Sequence, residues 1–150
     1  MKRFNFRLDR VLELREAAER LQAGVLGRAN EIAAERQRES DASASQLEIV
    51  QTQAGQTGDV PTAAGLRAAI GMTMQAAQAQ LELNEAALLE AQQQHAEEMA
   101  RFSEARMARR TIERLKEQRA ADWVEAANRA EQGDIDEIAQ RHTARGGPPK

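Results

Sequence analysis

Apolar residues recur along this chain at intervals of three and four, the spacing of one face of an α-helix rather than the alternation of a strand. In the first third, Val11, Leu14, Ala18, Leu21, Val25 and Ile32 follow a heptad seam. The pattern weakens through Glu35, Glu39, Ser40, Asp41 and Ser43, then resumes at Leu47 and Val50 in a shifted register, which predicts a local change in supercoiling. Further on, Ile70, Met74, Ala77, Leu81, Leu88, Ala91, His95, Phe102, Ala105 and Ile112 hold one frame. Asn84, Glu98, Arg109, Lys116 and Arg119 fill other positions of that frame, and polar seam residues fix register at a cost in stability.

Between the two patterns lies Ala54-Gly55-Gln56-Thr57-Gly58-Asp59-Val60-Pro61-Thr62, a run that ends one helix and opens another. Asp59 or Thr62 can cap the second helix, with Pro61 tolerated in its first turn. The expected fold is all-α, with two long antiparallel helices forming a coiled-coil hairpin over residues 1–145. The helices are expected at about 5–53 and 63–141 with the turn at 54–62, or roughly 75 and 120 Å of helix. Residues 143–150, which include Gly146-Gly147-Pro148-Pro149, are expected to form a flexible tail. A turn centred near Gly58 sets Phe4 near residue 112, so the longer second helix overhangs from about residue 115 onward. Gly133-Asp134 leaves two readings open: a continuous helix, or a break followed by a last short helix capped at Asp134.

Composition narrows this further. Of 150 residues 41% are hydrophobic, yet only 3% are aromatic (three Phe, one Trp, no Tyr), which excludes a thick globular core. Cysteine is absent, so no disulfide scaffold forms. No apolar run reaches membrane-spanning length and the N-terminus is charged, so the expectation is a soluble cytoplasmic protein. Gly24, Gly27, Gly65 and Gly71 inside helical segments each cost about 1 kcal/mol relative to Ala. A two-helix hairpin of this kind is marginal alone and gains stability from a partner. Its expected mode of action is therefore binding.

The net charge of −3 hides an uneven distribution. Residues 56–100 carry one basic and six acidic side chains, whereas 101–119 carry seven basic and three acidic. Arg109, Arg110, Arg114 and Lys116 could follow a phosphate backbone, but stacking aromatics are missing and Glu104, Glu113 and Glu117 interrupt the patch. An acidic protein surface suits it better than nucleic acid. Phe4, Phe6 and Trp123, with Arg119 and Arg129 flanking the indole in sequence, are either a local cluster closing the hairpin or anchors for a partner.

Catalytic chemistry finds no support. His95-Ala96-Glu97-Glu98-Met99 lacks the second histidine of a zinc-binding helix, and neither phosphate-binding glycine loop is present. The neighbouring carboxylates Glu97/Glu98 and Asp136/Glu137 diverge by about 100° on a helix and do not converge on one ion. The expectation is a non-enzymatic protein with no cofactor, no metal and no catalytic residue.

The opening Phe4-Asn5-Phe6-Arg7-Leu8-Asp9-Arg10-Val11-Leu12-Glu13-Leu14-Arg15-Glu16 resembles the start of the FliJ family of the flagellar type III export apparatus. Arg109 to His142 resembles that family more strongly, ending in Asp136-Glu137-Ile138-Ala139 with Arg141. Residues 35–100 match it in style only. The resemblance implies a two-helix coiled coil like that of the F-type ATPase γ subunit. It also implies insertion into the pore of the hexameric export ATPase FliI, promotion of ring assembly, engagement of the export gate protein FlhA and escort of export chaperones. The location implied is the cytoplasm, at the inner face of the membrane when the apparatus is assembled, and the related YscO-type secretion proteins belong to the same functional class. The γ-subunit analogy sets Arg119, Trp123 and Arg129 deepest in the pore. The expected partner-binding residues are Phe4, Phe6, Arg109, Arg110, Arg114, Arg119, Trp123, Arg129, Asp136 and Arg141. A generic cytoplasmic coiled-coil scaffold and a helical nucleic-acid-binding arm are the alternatives.

Overall fold

Ala-, Glu-, Gln- and Arg-rich segments with few β-branched residues favour helix over any other backbone state, and helix is what the chain forms. A computed structural model describes residues 4–57 and 64–145. Helix α1 runs Asp9–Thr57 and helix α2 runs Ala64–Arg145, 49 and 82 residues long. The two pack against each other as a helical hairpin whose second helix is the longer.

Asp9 opens α1: its amide donates to the Phe6 carbonyl at 3.1 Å, and the Leu12 amide donates to Leu8 at 2.9 Å. Its carboxylate lies in the first turn, where the exposed amides favour negative charge. The helix starts four residues later than the pattern suggests and passes through Gly55 to Thr57. A glycine lowers helix propensity by only about 1 kcal/mol, which neighbouring turns can absorb. The candidate caps Asp59 and Thr62, with Pro61, lie outside the described residues, as do 146–150. Helix α2 is unbroken at Gly133, so of the two readings there the continuous helix is the one found.

By density of contacts the chain divides into two units, residues 1–18 with 105–150, and residues 19–104. In the first unit Phe6 and Leu12 are buried, and the rings of Phe4 and Trp123 lie 6.2 Å apart at 55°. That ring pair corrects the expectation that Phe4 lies near residue 112 and that pairing ends at about 115. Each contact between the helices joins residues further along α2 than a turn centred at Gly58 brings together. From 128 to 141 every side chain is exposed.

In the second unit the α1 positions turned inward are Glu19, Gln22, Leu26, Ala29, Ala33, Ser40, Ser43, Leu47, Val50 and Ala54. Val25 and Glu39 are half-buried as well, and the positions follow three–four spacing except for the seven-residue step from Ala33 to Ser40, across which Arg36 is exposed. The heptad read from Val11, Leu14, Ala18, Leu21, Val25 and Ile32 is therefore displaced by one residue from the true seam, and Leu14, Ala18, Leu21 and Ile32 are exposed. No register shift precedes Leu47 and Val50, because they lie on the lattice that begins upstream. The physical reason is polar pairing across the seam. Gln22 Nε2 donates to Glu98 Oε2, and Asn84 Nδ2 donates to Ser43 Oγ at 2.5 Å and to the Glu39 carbonyl at 3.3 Å. These contacts hold a polar face inward and leave the bulkier apolar face out. On α2 the frame holds: Ile70, Met74, Ala77, Leu81, Asn84, Leu88, Ala91, His95, Glu98 and Phe102 are all at least half-buried.

Candidate functional site

The first unit gathers most of the residues that sequence reasoning singles out. Its apolar centre is Phe6, 6% exposed, and Leu12, 8% exposed. Phe4 is half-buried against Trp123, which keeps 37% of its surface exposed. Of the two readings of these aromatics, the geometry realises the local cluster, and Trp123 alone among them keeps a sizeable wet surface.

Beside the cluster, Lys116 Nζ lies 2.7 Å from Asp9 Oδ1, a contact linking the two helices that sequence reasoning missed. Its signal was present. Asp9, Glu13 and Glu16 follow a four–three spacing on one face of α1, and a lysine at an α2 seam position needs such a face. Asp9, accepting the hydrogen bond, holds the Lys116 ammonium above its ordinary value of 10.5. Lost hydration opposes this, while the charges of Asp9, Glu16 and Glu13 reinforce it.

The arginines separate into two sets. Arg109 is half-buried and its Nη1 donates to Glu113 Oε2 at 2.6 Å. Arg129 pairs with Glu125 at 3.3 Å, Arg141 pairs with Glu137 at 2.5 Å, and Asp136 accepts from Gln132 at 3.2 Å. These are ordinary pairs within one helix, each worth about 0.2–0.5 kcal/mol. Arg106, Arg110, Arg114 and Arg119 are exposed and have no ion pair among the described residues. Arg119 was expected in the seam; Ala120 turns inward instead, and the arginine faces out. Arg106, Arg110 and Arg114 stand four residues apart, so like charges neighbour one another on one face of α2 with no carboxylate taking them up. Such an arrangement suits an acidic surface on another molecule.

Among the described residues no group of three or more His, Cys, Asp or Glu could hold a metal ion. His95 occupies a half-buried seam position. A groove of about 440 Å³ in the second unit is lined by Val50, Gln53, Ala54, Leu66, Ala69, Ile70 and Thr73, none of them titratable. Among the described residues no helix is long and apolar enough to cross a membrane.

No curated protein and no solved structure shows significant similarity to this chain. A family profile does: the one described as "Flagellar FliJ protein" matches residues 4–148. That span takes in both helices, the Phe4–Trp123 cluster and the exposed arginines. With nearly its whole length so matched, the chain belongs to the FliJ family, components of the flagellar export apparatus.

Proposed function

We propose that this protein is a non-enzymatic coupling component that binds the hexameric export ATPase, promotes its assembly and activity, and links it to the export gate and to export chaperones. The family match over residues 4–148 carries this reading. The physical character of the chain agrees with it. Only four hydrophobic side chains, Phe6, Leu12, Val50 and Ala91, are buried among the described residues, so a partner that covers further apolar side chains stabilises the folded chain. Arg106, Arg110, Arg114 and Arg119 offer unpaired guanidinium groups to acidic side chains of the ATPase, and guanidinium forks bind carboxylates in two-pronged geometry. Trp123 and the exposed stretch at 128–141, with Arg129, Asp136 and Arg141, complete the contact region. Phe4 and Phe6 act there by holding Trp123 and the start of α1 in place. The site of action is the cytoplasmic face of the membrane, reached through the partners.

The test is ATP hydrolysis by a cognate FliI-type hexamer with and without the purified protein. A rise in turnover and co-migration at modest salt are expected. Unchanged turnover together with separate migration overturns the reading.

A further inference from the structure

Within the second unit α1 carries two seam frames one residue apart, and each suits a different part of the helix. The frame in use turns Gln22, Leu26, Ala29 and Ala33 onto α2, and further on Leu47 and Val50. Its neighbour runs through Leu21, Val25, Arg28 and Ile32, and further on through Glu39 and Gln46. Up to residue 32 the neighbour is the more apolar, and from Leu47 onward the frame in use is. Leu21 is 73% exposed and Ile32 50% exposed, whereas Val50 is 8% exposed. Burial of apolar surface therefore draws the two parts of α1 towards different frames.

Three observations make α2 the surface that serves both. First, Val25 and Glu39 belong to the second frame and are already half-buried, and α2 is the only other helix described in this unit. Second, hydrogen bonds between the helices fix their relative level: Gln22 Nε2 donates to Glu98, and Asn84 Nδ2 donates to Ser43. Halfway between these contacts lie Ala91 on α2 and, on α1, the step between Ile32 and Ala33. A turn of α1 by one residue, about 100°, exchanges Ala33 for Ile32 at Ala91 with almost no slide. Third, the same count brings Arg28 level with His95, within one turn of Glu98. The Glu98 side chain is 16% exposed and accepts from Gln22 and Arg101. Arg28 is exposed and has no ion pair among the described residues. The turn that takes Gln22 away from Glu98 carries Arg28 towards it, so the shielded carboxylate keeps a partner in either frame.

The two parts of α1 are free to differ. From 34 to 38 no side chain is turned inward, so nothing there fixes a frame. Steps of four through Ile32, Arg36 and Ser40 join the second frame to the first by a local change of winding. We propose that residues 19–32 of α1 switch between these two frames on α2 while residues 40–54 keep theirs. In the turned frame Leu21, Val25 and Ile32 are buried and Arg28 pairs with Glu98. A partner selects a state by the face it covers. One that covers Leu21 and Ile32 locks the present frame, and one that binds the face of Gln22 and Leu26 draws α1 round. The switch is a property of the hairpin alone and stands whether or not the ATPase is a partner.

The chain has no cysteine, so engineered pairs in the full chain report the frame. Ala33→Cys with Ala91→Cys closes a disulfide in the present frame, and Ile32→Cys with Ala91→Cys closes one in the turned frame. In dilute solution under a glutathione buffer, both should form within one chain. Gln22→Glu sets a carboxylate against Glu98 in the present frame alone, and should raise the ratio of the 32–91 to the 33–91 disulfide about tenfold. Arg28→Glu does so in the turned frame alone, and should lower that ratio by a similar factor. Leu47→Cys with Ala77→Cys should close equally in every variant, which checks folding and the downstream frame together. A ratio that neither substitution moves, or that both move in one direction, overturns the proposal. A 32–91 disulfide found only between chains overturns it too, since that outcome assigns the face to a second copy. So does a 47–77 disulfide that weakens with Gln22→Glu, because residues 40–54 then fail to hold their frame.

Discussion

The two units close their helix pairs with different mixtures of side chain: both use apolar residues, with aromatic rings only in one and a run of small and polar positions added in the other. In residues 1–18 with 105–150, closure uses bulk: Phe6 and Leu12 are buried, the Phe4 and Trp123 rings lie together, and Lys116 meets Asp9. In residues 19–104 small and polar groups join apolar ones such as Val50, Leu81 and Leu88: Ala91 is 5% exposed, Ser40 is 7% exposed, and Asn84, Ser43, Gln22 and Glu98 bond across the seam. Bulk buries area and stabilises; polar seams add little net free energy but penalise every register that leaves a group unpaired. The comparison teaches that stability and specificity are placed in different parts of one hairpin.

The strongest challenge to that division is Leu12→Ala, which should cost about 3 kcal/mol in urea unfolding. A loss well below 1 kcal/mol would show that the first unit does not depend on bulk. Ala91→Leu should cost about 2 kcal/mol, because the small residue there lets the helices approach closely. A neutral result would mean that the second unit is loosely packed. Phe4→Ala should cost about 1 kcal/mol and shift Trp123 emission to the red, since the indole loses its ring partner. An unchanged spectrum would return Trp123 to the role of a free anchor.

Asn84→Leu should run the other way. Melting temperature should stay level or rise, worth up to about 1 kcal/mol, while spin-label distances between α1 and α2 in residues 19–104 broaden as alternative registers become accessible. A sharp distance distribution would remove specificity from Asn84. The smallest effect concerns Lys116. Its value is raised above 10.5 in the folded chain, so the stabilisation is fully present below pH 10.5 and disappears as pH climbs through the raised folded value. The stability difference between wild type and Lys116→Met should therefore be constant around neutrality and vanish in strong alkali.

How much of this was legible beforehand depended on whether a helix turns its larger apolar side chains inward. The α2 frame through Ile70, Met74, Leu81, Leu88, Ala91 and Phe102 could be read directly, including the polar positions Asn84 and Glu98, because its larger apolar side chains are the ones turned inward over most of its length. On α1 a mixed lattice of polar, small and apolar residues lies one residue from a lattice of larger apolar side chains, Leu14, Leu21 and Ile32, and periodicity favours the second. Only the partner side chains on α2 decide between them, and no pattern within α1 contains that information. The candidate site was half legible for a similar reason. The arginines of 106–119 stand out by charge, but whether each is paired depends on turns of helix that composition does not resolve, which is how Arg109 and Arg110 come to differ.

The exposed stretch of α2 from 128 to 141 has a consequence of its own. Its nucleation cost is already met upstream, so each further turn needs only propagation, which is close to thermoneutral for residues such as these. With no buried face, pairs like Gln132–Asp136 and Glu137–Arg141 are its main tertiary-free support. Amide protons along it should exchange in a gradient, fastest at the C-terminal end and slowing toward residue 127, with a boundary that retreats on warming or added salt. Any surface that grips this stretch will push the boundary outward, so occupancy there can be followed residue by residue as protection from deuterium.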